Sequence, residues 1–127
     1  MKDRAIYEYA VIRLVPKVER EEFINIGAIL YCRKHKFLEM MYRLNLDRIL
    51  AFDSTVDIDM VRSHLDSWLK ICRGGADGGP IGLLERHIRF RWITAPKSTI
   101  IQCSKVHPGR CIDPESVLKD LFHKNVM

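Results

Sequence analysis

Three residues in the last third of the chain have the types and spacing of a thiol or metal site. Cys103, His107 and Cys111 form a C-x3-H-x3-C series. Thiolate and imidazole are preferred zinc ligands, and a cysteine activated by a histidine can act as a nucleophile. The paired ligands of structural zinc sites are usually closer in sequence, and no catalytic signature surrounds any cysteine. A thiol- or metal-dependent enzyme is therefore our third hypothesis, and we expect neither a metal nor a cofactor.

A basic segment, R-F-R-W-I-T-A-P-K-S-T-I-I-Q, runs from Arg89 to Gln102. Arginine forks and hydroxyl groups suit the recognition of phosphate or carboxylate groups. The wider stretch 86–110 holds six Lys or Arg residues and no Asp or Glu. It favours binding of a phosphorylated ligand or nucleic acid, while the alternative is that its aromatic residues are core and its hydroxyls cap helix and strand ends.

A polar Asn25 and a bare Gly27 interrupt the apolar run F-I-N-I-G-A-I-L. Glycine removes side-chain bulk, and asparagine can satisfy backbone groups locally, so the pattern predicts a turn or a β-bulge. The alternative is that Asn25 faces the basic segment across a shared cleft. Either way, the segment leads into a predicted hairpin.

The composition predicts one globular domain spanning residues 1–127. Hydrophobic residues make up 47% of the 127 residues and charged residues 29%, which excludes a disordered chain. Glu8 interrupts the apolar stretch near the N-terminus, so we expect no secretory signal, and no run is long enough for a membrane helix. The four cysteines show no C-x-x-C pair, so we expect reduced thiols, a cytoplasmic location and no membrane association.

The periodicity of the chain predicts strands first and helices later. Strands are expected at 5–15, in a hairpin built from 28–33 and 37–43, and at 98–103; helices are expected at 46–52, 57–74, 81–93 and 113–123. The segment 81–93 also alternates partly like a strand, and His107-Pro108-Gly109 is expected to be a loop. This order predicts an α+β fold, with an antiparallel sheet of about four strands and about three helices packed mainly on one face. An exposed sheet edge is compatible with a homo-oligomer.

Two long blocks of the chain carry a resemblance to a known family. The blocks are E-Y-A-V-I-R-L-V-P-K-V-E-R-E-E-F-I-N-I-G-A-I-L-Y-C-R and R-W-I-T-A-P-K-S-T-I-I-Q-C-S-K-V-H-P-G. They resemble the bacterial domain-of-unknown-function family 3037 (DUF3037), over nearly the whole chain. The positions that match it are Arg13, Pro16, Glu19, Arg20, Phe23, Asn25, Gly27, Arg33, Arg91, Trp92, Thr94, Ala95, Pro96, Ser98, Thr99, Gln102, His107 and Gly109.

The resemblance implies no established activity. It implies a gene neighbourhood shared with a HipA-like serine/threonine kinase, and thus a protein partner in the same pathway or complex. Cys103 stands where the family commonly has proline, which argues against a thiol role shared by the family. Our leading hypothesis is a non-catalytic interaction or accessory module, with binding of a phosphorylated ligand or nucleic acid as the alternative. The candidate binding residues are Arg20, Asn25, Arg33, Arg91, Thr94, Lys97, Ser98, Thr99 and His107.

Overall fold

The computed structural model describes residues 3–127, which form five β-strands and five α-helices. The strands are β1 (Ala5–Leu14), β2 (Ile24–Cys32), β3 (Phe37–Tyr42), β4 (Ile101–Cys103) and β5 (His107–Cys111). The helices are α1 (Leu46–Phe52), α2 (Ile58–Arg73), α3 (Gly79–Gly82), α4 (Arg86–Thr94) and α5 (Pro114–Val126). The α+β class is confirmed, as are the hairpin, the short helix at 46–52 and the helix that became α2.

All strand pairs of the single sheet are antiparallel, in the order β3-β2-β1, with β4 and β5 sharing the other edge of β1. β4 pairs with the end of β1, and β5 pairs with its beginning. The fourth position of the sheet is thus filled by two short strands in succession. The prediction of a loop at His107-Pro108-Gly109 was wrong: Pro108 occupies an edge strand, where a missing N–H is tolerated.

Helices cover both faces of the sheet. α1, α2 and α4 contribute Ile49, Trp68 and Phe90 to the larger core cluster, which lies on one face. α5 alone packs on the opposite face, where Leu118 and Phe122 meet residues of β2 and β5. The prediction that helices lie mainly on one face agrees with the positions of α1, α2 and α4. α5 was not expected on the other face, where it forms a second core.

The interruption at Asn25-x-Gly27 is a β-bulge in β2. Ile12 is opposite Gly27 and Arg13 is opposite Asn25, so Ile26 is an extra residue without a partner in β1. A Cβ atom on Gly27 would lie 2.6 Å from the main-chain oxygen of Met41. Glycine is therefore required by the close approach of β3, which confirms the prediction of a bulge.

The segment predicted as one helix at 81–93 is divided. α3 ends at Gly82 and α4 begins at Arg86, so only the second half of the segment forms a helix of more than two turns. α2 begins at the cap residue Asp57, whose side chain accepts from the N–H of Met60, and it ends at Gly74 with φ of 81°. None of the helices between residues 3 and 127 has both the length and the apolar character needed to cross a lipid bilayer.

Candidate functional site: the basic end of the sheet

Basic side chains from three elements surround one end of the sheet, and we call this region the basic end. It consists of Arg33 and Lys36 in the β2–β3 turn, Arg73 at the last residue of α2, and Arg86 and Arg91 on α4. The turn is tight, because the N–H of Lys36 donates to the carbonyl of Arg33. Lys36 has φ of 49°, a left-handed conformation that narrows the turn.

The first of two cavities at the basic end has a volume of about 440 Å³. Lys36, Arg73 and Arg86 line it together with Glu39, over a floor that includes Leu69. It lies between the edge strand β3 and the C-terminal end of α2. Three cations and one carboxylate leave this cavity with an excess of positive charge.

The second cavity has a volume of about 540 Å³, and its charged lining consists of Arg33, Arg91, Glu8 and Glu85. Its two carboxylates balance its two arginines, so the excess of positive charge lies in the first cavity. Arg91 donates from both terminal nitrogens to Glu8, Nη1 to Oε2 at 2.9 Å and Nη2 to Oε1 at 3.1 Å. These hydrogen bonds raise the pKa of Arg91. Arg91 is therefore held in one orientation, while Arg33 remains exposed at the rim.

α4 is fixed in place by Arg89, a buried arginine on the same helix. Its Nη1 donates to the carbonyls of Ile71 at 2.7 Å and Cys72 at 2.9 Å, and its Nε donates to the carbonyl of Leu84 at 2.9 Å. Two of these carbonyls belong to the last turn of α2, where the carbonyl of Ile71 also accepts from the N–H of Gly74. Burial lowers the pKa of Arg89. One side chain thus joins the end of α2 to the start of α4 and orients Arg86 and Arg91.

Four cations of the basic end have no carboxylate partner among residues 3–127. The ion pairs of this part of the chain include Arg91 with Glu8 and His87 with Glu85, but none involves Arg33, Lys36, Arg73 or Arg86. All four side chains are exposed. The basic end therefore presents positive charge that the chain itself does not neutralise.

The candidate residues of the basic segment divide into two groups. Arg91 lines a cavity with Arg33, whereas Lys97 donates to the carbonyls of Trp92, Ile93 and Ala95 at 2.8, 2.8 and 3.1 Å. Lys97 therefore caps the C-terminal end of α4, and burial lowers its pKa.

The hydroxyl groups that follow have local partners or are exposed. Thr94 donates to the carbonyl of Phe90, and Thr99 donates to that of Ile101. Ser98 is exposed. The local hydrogen bonds of Thr94 and Thr99 favour the capping interpretation for these two hydroxyls.

The remaining candidates lie elsewhere. Arg20 pairs with Glu22 at 2.6 Å in the β1–β2 connection, and His107 stacks beside Tyr9 with ring centroids 5.3 Å apart. Asn25 donates to the carbonyl of Asn125 in α5, on the face of the sheet opposite α4. Asn25 therefore forms no cleft with the α4 part of the basic segment, residues 89–94.

The cysteine series does not come together as a site. Cys103 is opposite Ile12 and faces the larger core, whereas His107 and Cys111 lie on the face of α5. Burial raises the pKa of Cys103 to about 12, which disfavours a thiolate nucleophile. In the part of the chain that the structure describes, no three His, Cys, Asp or Glu side chains are grouped to hold a metal ion.

Sequence reasoning missed Lys36, Arg73 and Arg86 as parts of a common surface. Lys36 lies in a turn and Arg73 at the C-terminal end of a helix, where basic residues are ordinary, and Arg86 is one arginine of a segment rich in them, so no local signal distinguishes the three. Only the packing of α4 against α2 and the hairpin brings them together.

These features define a small α+β protein with two cavities and a set of exposed basic side chains at one end of its sheet. The chain belongs to the family described as "Protein of unknown function (DUF3037)", whose model matches residues 9–126. The predicted family is thereby confirmed over nearly the whole chain. No curated protein and no solved structure matches the chain.

Proposed function

We propose that this protein is a non-catalytic binding module that docks an acidic or phosphorylated segment of a partner protein at its basic end. The observation that carries the proposal is the set of four unneutralised cations, Arg33, Lys36, Arg73 and Arg86, around two adjoining cavities. Carboxylate and phosphate groups are the natural partners of such a surface.

The cavities favour an extended ligand over a small enclosed one. They lie on either side of the start of α4, because Arg86 lines one cavity and His87 lines the other. The two ends of the β2–β3 turn also contribute to different cavities, Lys36 to one and Arg33 to the other. A segment with several negative charges would contact the three cations of the first cavity and reach Arg33 at the second. The resemblance to DUF3037 makes a HipA-like kinase the first partner to test.

The thiol chemistry considered for the chain has weaker support. Cys72 and Cys103 are packed around the larger core, and burial raises the pKa of each thiol to about 12. Thiols with so high a pKa stay protonated at neutral pH and are poor nucleophiles.

The experiment compares binding of a fluorescent phosphopeptide, its unphosphorylated counterpart and a single-stranded oligonucleotide by anisotropy. We expect the Arg33→Glu, Arg86→Glu double variant to lose about tenfold or more in affinity, and the wild-type affinity to fall with added salt. Lys119→Glu, on the exposed surface of α5, is the control and should bind like the wild type.

Co-purification with the HipA-like kinase is the second arm, with the same variants. Equal recovery of the kinase by wild type and double variant would contradict the proposal. Oligonucleotide binding that is stronger than peptide binding would assign the basic end to nucleic acid instead.

A further inference from the structure

A second polar cluster lies at the opposite end of the sheet. Asn25, Arg13 and Gln102 are directly opposite one another across β2, β1 and β4. Cross-strand partners point to the same face of a sheet, so these three side chains form a row. Asn25 identifies the face, because its Nδ2 donates to the carbonyl of Asn125 in α5 at 3.2 Å. We call this cluster the Arg13 row.

The guanidinium of Arg13 has no acceptor within residues 3–127. Its Nε is buried without a hydrogen-bond partner, and none of the ion pairs of this region involves it. The ring of Phe23 stacks on it, with 4.1 Å between the ring centroid and Cζ. The buried Nε costs free energy, because this atom has given up water without gaining an acceptor.

The neighbours of Arg13 in the row are polar but neutral. The Oδ1 atom of Asn25 is also buried without a partner, and Gln102 donates from Nε2 to the carbonyl of Thr99 at 2.8 Å. The row therefore combines one positive charge with two carboxamides. Phe23 closes one side of the guanidinium, yet 44% of that residue is exposed.

We propose that the Arg13 row binds a carboxylate group, which would accept from the terminal nitrogens of Arg13. The planar guanidinium fork matches the two oxygens of a carboxylate, and the stacked Phe23 holds the plane of the fork. A single positive charge between neutral carboxamides balances a monoanion better than a phosphate ester, which carries a charge of about −1.5 to −2.

This site is distinct from the basic end. Arg13 pairs with Asn25 near the beginning of β2, whereas Arg33 follows the end of that strand. The side chains of the row also point to the face of the sheet that α5 covers, whereas Glu8 and Arg91 lie on the face that α4 covers. The carboxylate can come from a free small acid or from an Asp or Glu side chain of a peptide, and the two sources are separable by experiment.

The test is an NMR titration of the full chain, followed at the Nε–H signal of Arg13. The probes are sodium acetate, a short capped glutamate peptide and inorganic phosphate, with sodium chloride keeping the ionic strength constant. We expect a saturable shift with acetate or with the peptide. Equal affinities for the two indicate a free acid as ligand, and a peptide affinity at least tenfold higher indicates a protein-borne carboxylate.

The variant arm uses Arg13→Gln, which keeps hydrogen-bonding groups but removes the charge. We expect it to lose about tenfold or more in affinity for the preferred probe. The control is Arg62→Gln, which removes an equal charge from the outer side of α2, where Arg62 is exposed and pairs weakly with Asp59. If Arg13→Gln does not fold, the wild-type titration alone tests the proposal, through the presence or absence of a saturable shift of the Arg13 signal.

Three results would overturn the proposal. The first is the absence of a saturable shift of the Arg13 signal with acetate and with the peptide. The second is tighter binding of phosphate than of acetate. The third is an equal loss of affinity in Arg13→Gln and Arg62→Gln, which would indicate a general charge effect.

Discussion

At position 27, the packing of the neighbouring strand requires a glycine. Its φ is not in the left-handed region, so conformational freedom does not explain the glycine. The reason is space, because the backbone of β3 passes where a Cβ atom would stand. The bulge at Ile26 brings the backbone into this position, and the same bulge aligns Asn25 with Arg13.

We therefore expect Gly27→Ala to lower the free energy of unfolding by about 1–3 kcal/mol, since the methyl group forces the hairpin apart. Urea denaturation measures the change. Ser54→Ala, at an exposed position, should stay within about 0.5 kcal/mol of the wild type. A Gly27→Ala protein as stable as the wild type would show that β3 moves aside freely.

At the scale of elements, α4 depends on a charged residue inside the core. Arg89 spans the gap between α2 and α4 through three carbonyls, two of them at the end of α2. Phe90, its neighbour, stacks on Tyr31 with ring centroids 5.6 Å apart. Hydrogen bonding thus fixes one side of α4, and aromatic packing fixes the other.

Replacing Arg89 with Met keeps most of the volume but leaves the carbonyls of Ile71, Cys72 and Leu84 without this donor. We expect Arg89→Met to destabilise the protein by about 2–4 kcal/mol. The matched control is Arg86→Met, on the exposed surface of the same helix, with a change below about 0.5 kcal/mol. Similar unfolding midpoints for the two variants would contradict the structural role of Arg89.

The sequence allowed the hairpin, α2 and the last helix to be predicted, because each is specified by local signals. Asp57 and Gly74 mark the ends of α2, and two apolar runs flank the β2–β3 turn. β5 was missed because His107-Pro108-Gly109 has turn-like residues, and its strand conformation depends on pairing with β1. The second core under α5 had an unused signal in β2, because residues 26–32 are all apolar or glycine, and a strand without polar alternation is typical of strands covered on both faces.

The candidate site was predictable only in part. Arg33 and Arg91 were selected for their residue types, and the structure brings both to one cavity. Lys97 was selected for the same reason, yet its amine caps α4. Sequence spacing cannot distinguish these cases, because a cation near a helix end serves either the helix or a ligand.

For the whole molecule, the thiols of Cys72 and Cys103, which pack at the larger core, make folding sensitive to alkaline pH. Burial raises the pKa of Cys72 and of Cys103 from 9.0 to about 12. Above about pH 9 the unfolded chain releases these protons while the folded chain retains them, so unfolding becomes more favourable. Their contribution is therefore fully present below pH 9 and is lost as the pH rises toward 12.

We expect the free energy of unfolding to fall between about pH 9 and about pH 12, at no more than about 1.4 kcal/mol per pH unit for each thiol. Urea denaturation in the presence of a reductant measures it. The Cys72→Ala, Cys103→Ala double variant should show a shallower decline. Parallel declines in the two proteins would assign the effect to other groups.

The divided fourth strand governs how this sheet meets other copies of itself. Between β4 and β5, the hydroxyl of Ser104 accepts from the N–H of Val11, and the N–H of Ser104 donates to the carbonyl of Val11. A side chain thus replaces a main-chain carbonyl in the ladder, and Pro108 removes a donor farther along the edge. This edge is divided between two short strands, so an incoming strand would find no long regular row of donors and acceptors, which disfavours edge-to-edge pairing of two copies along it.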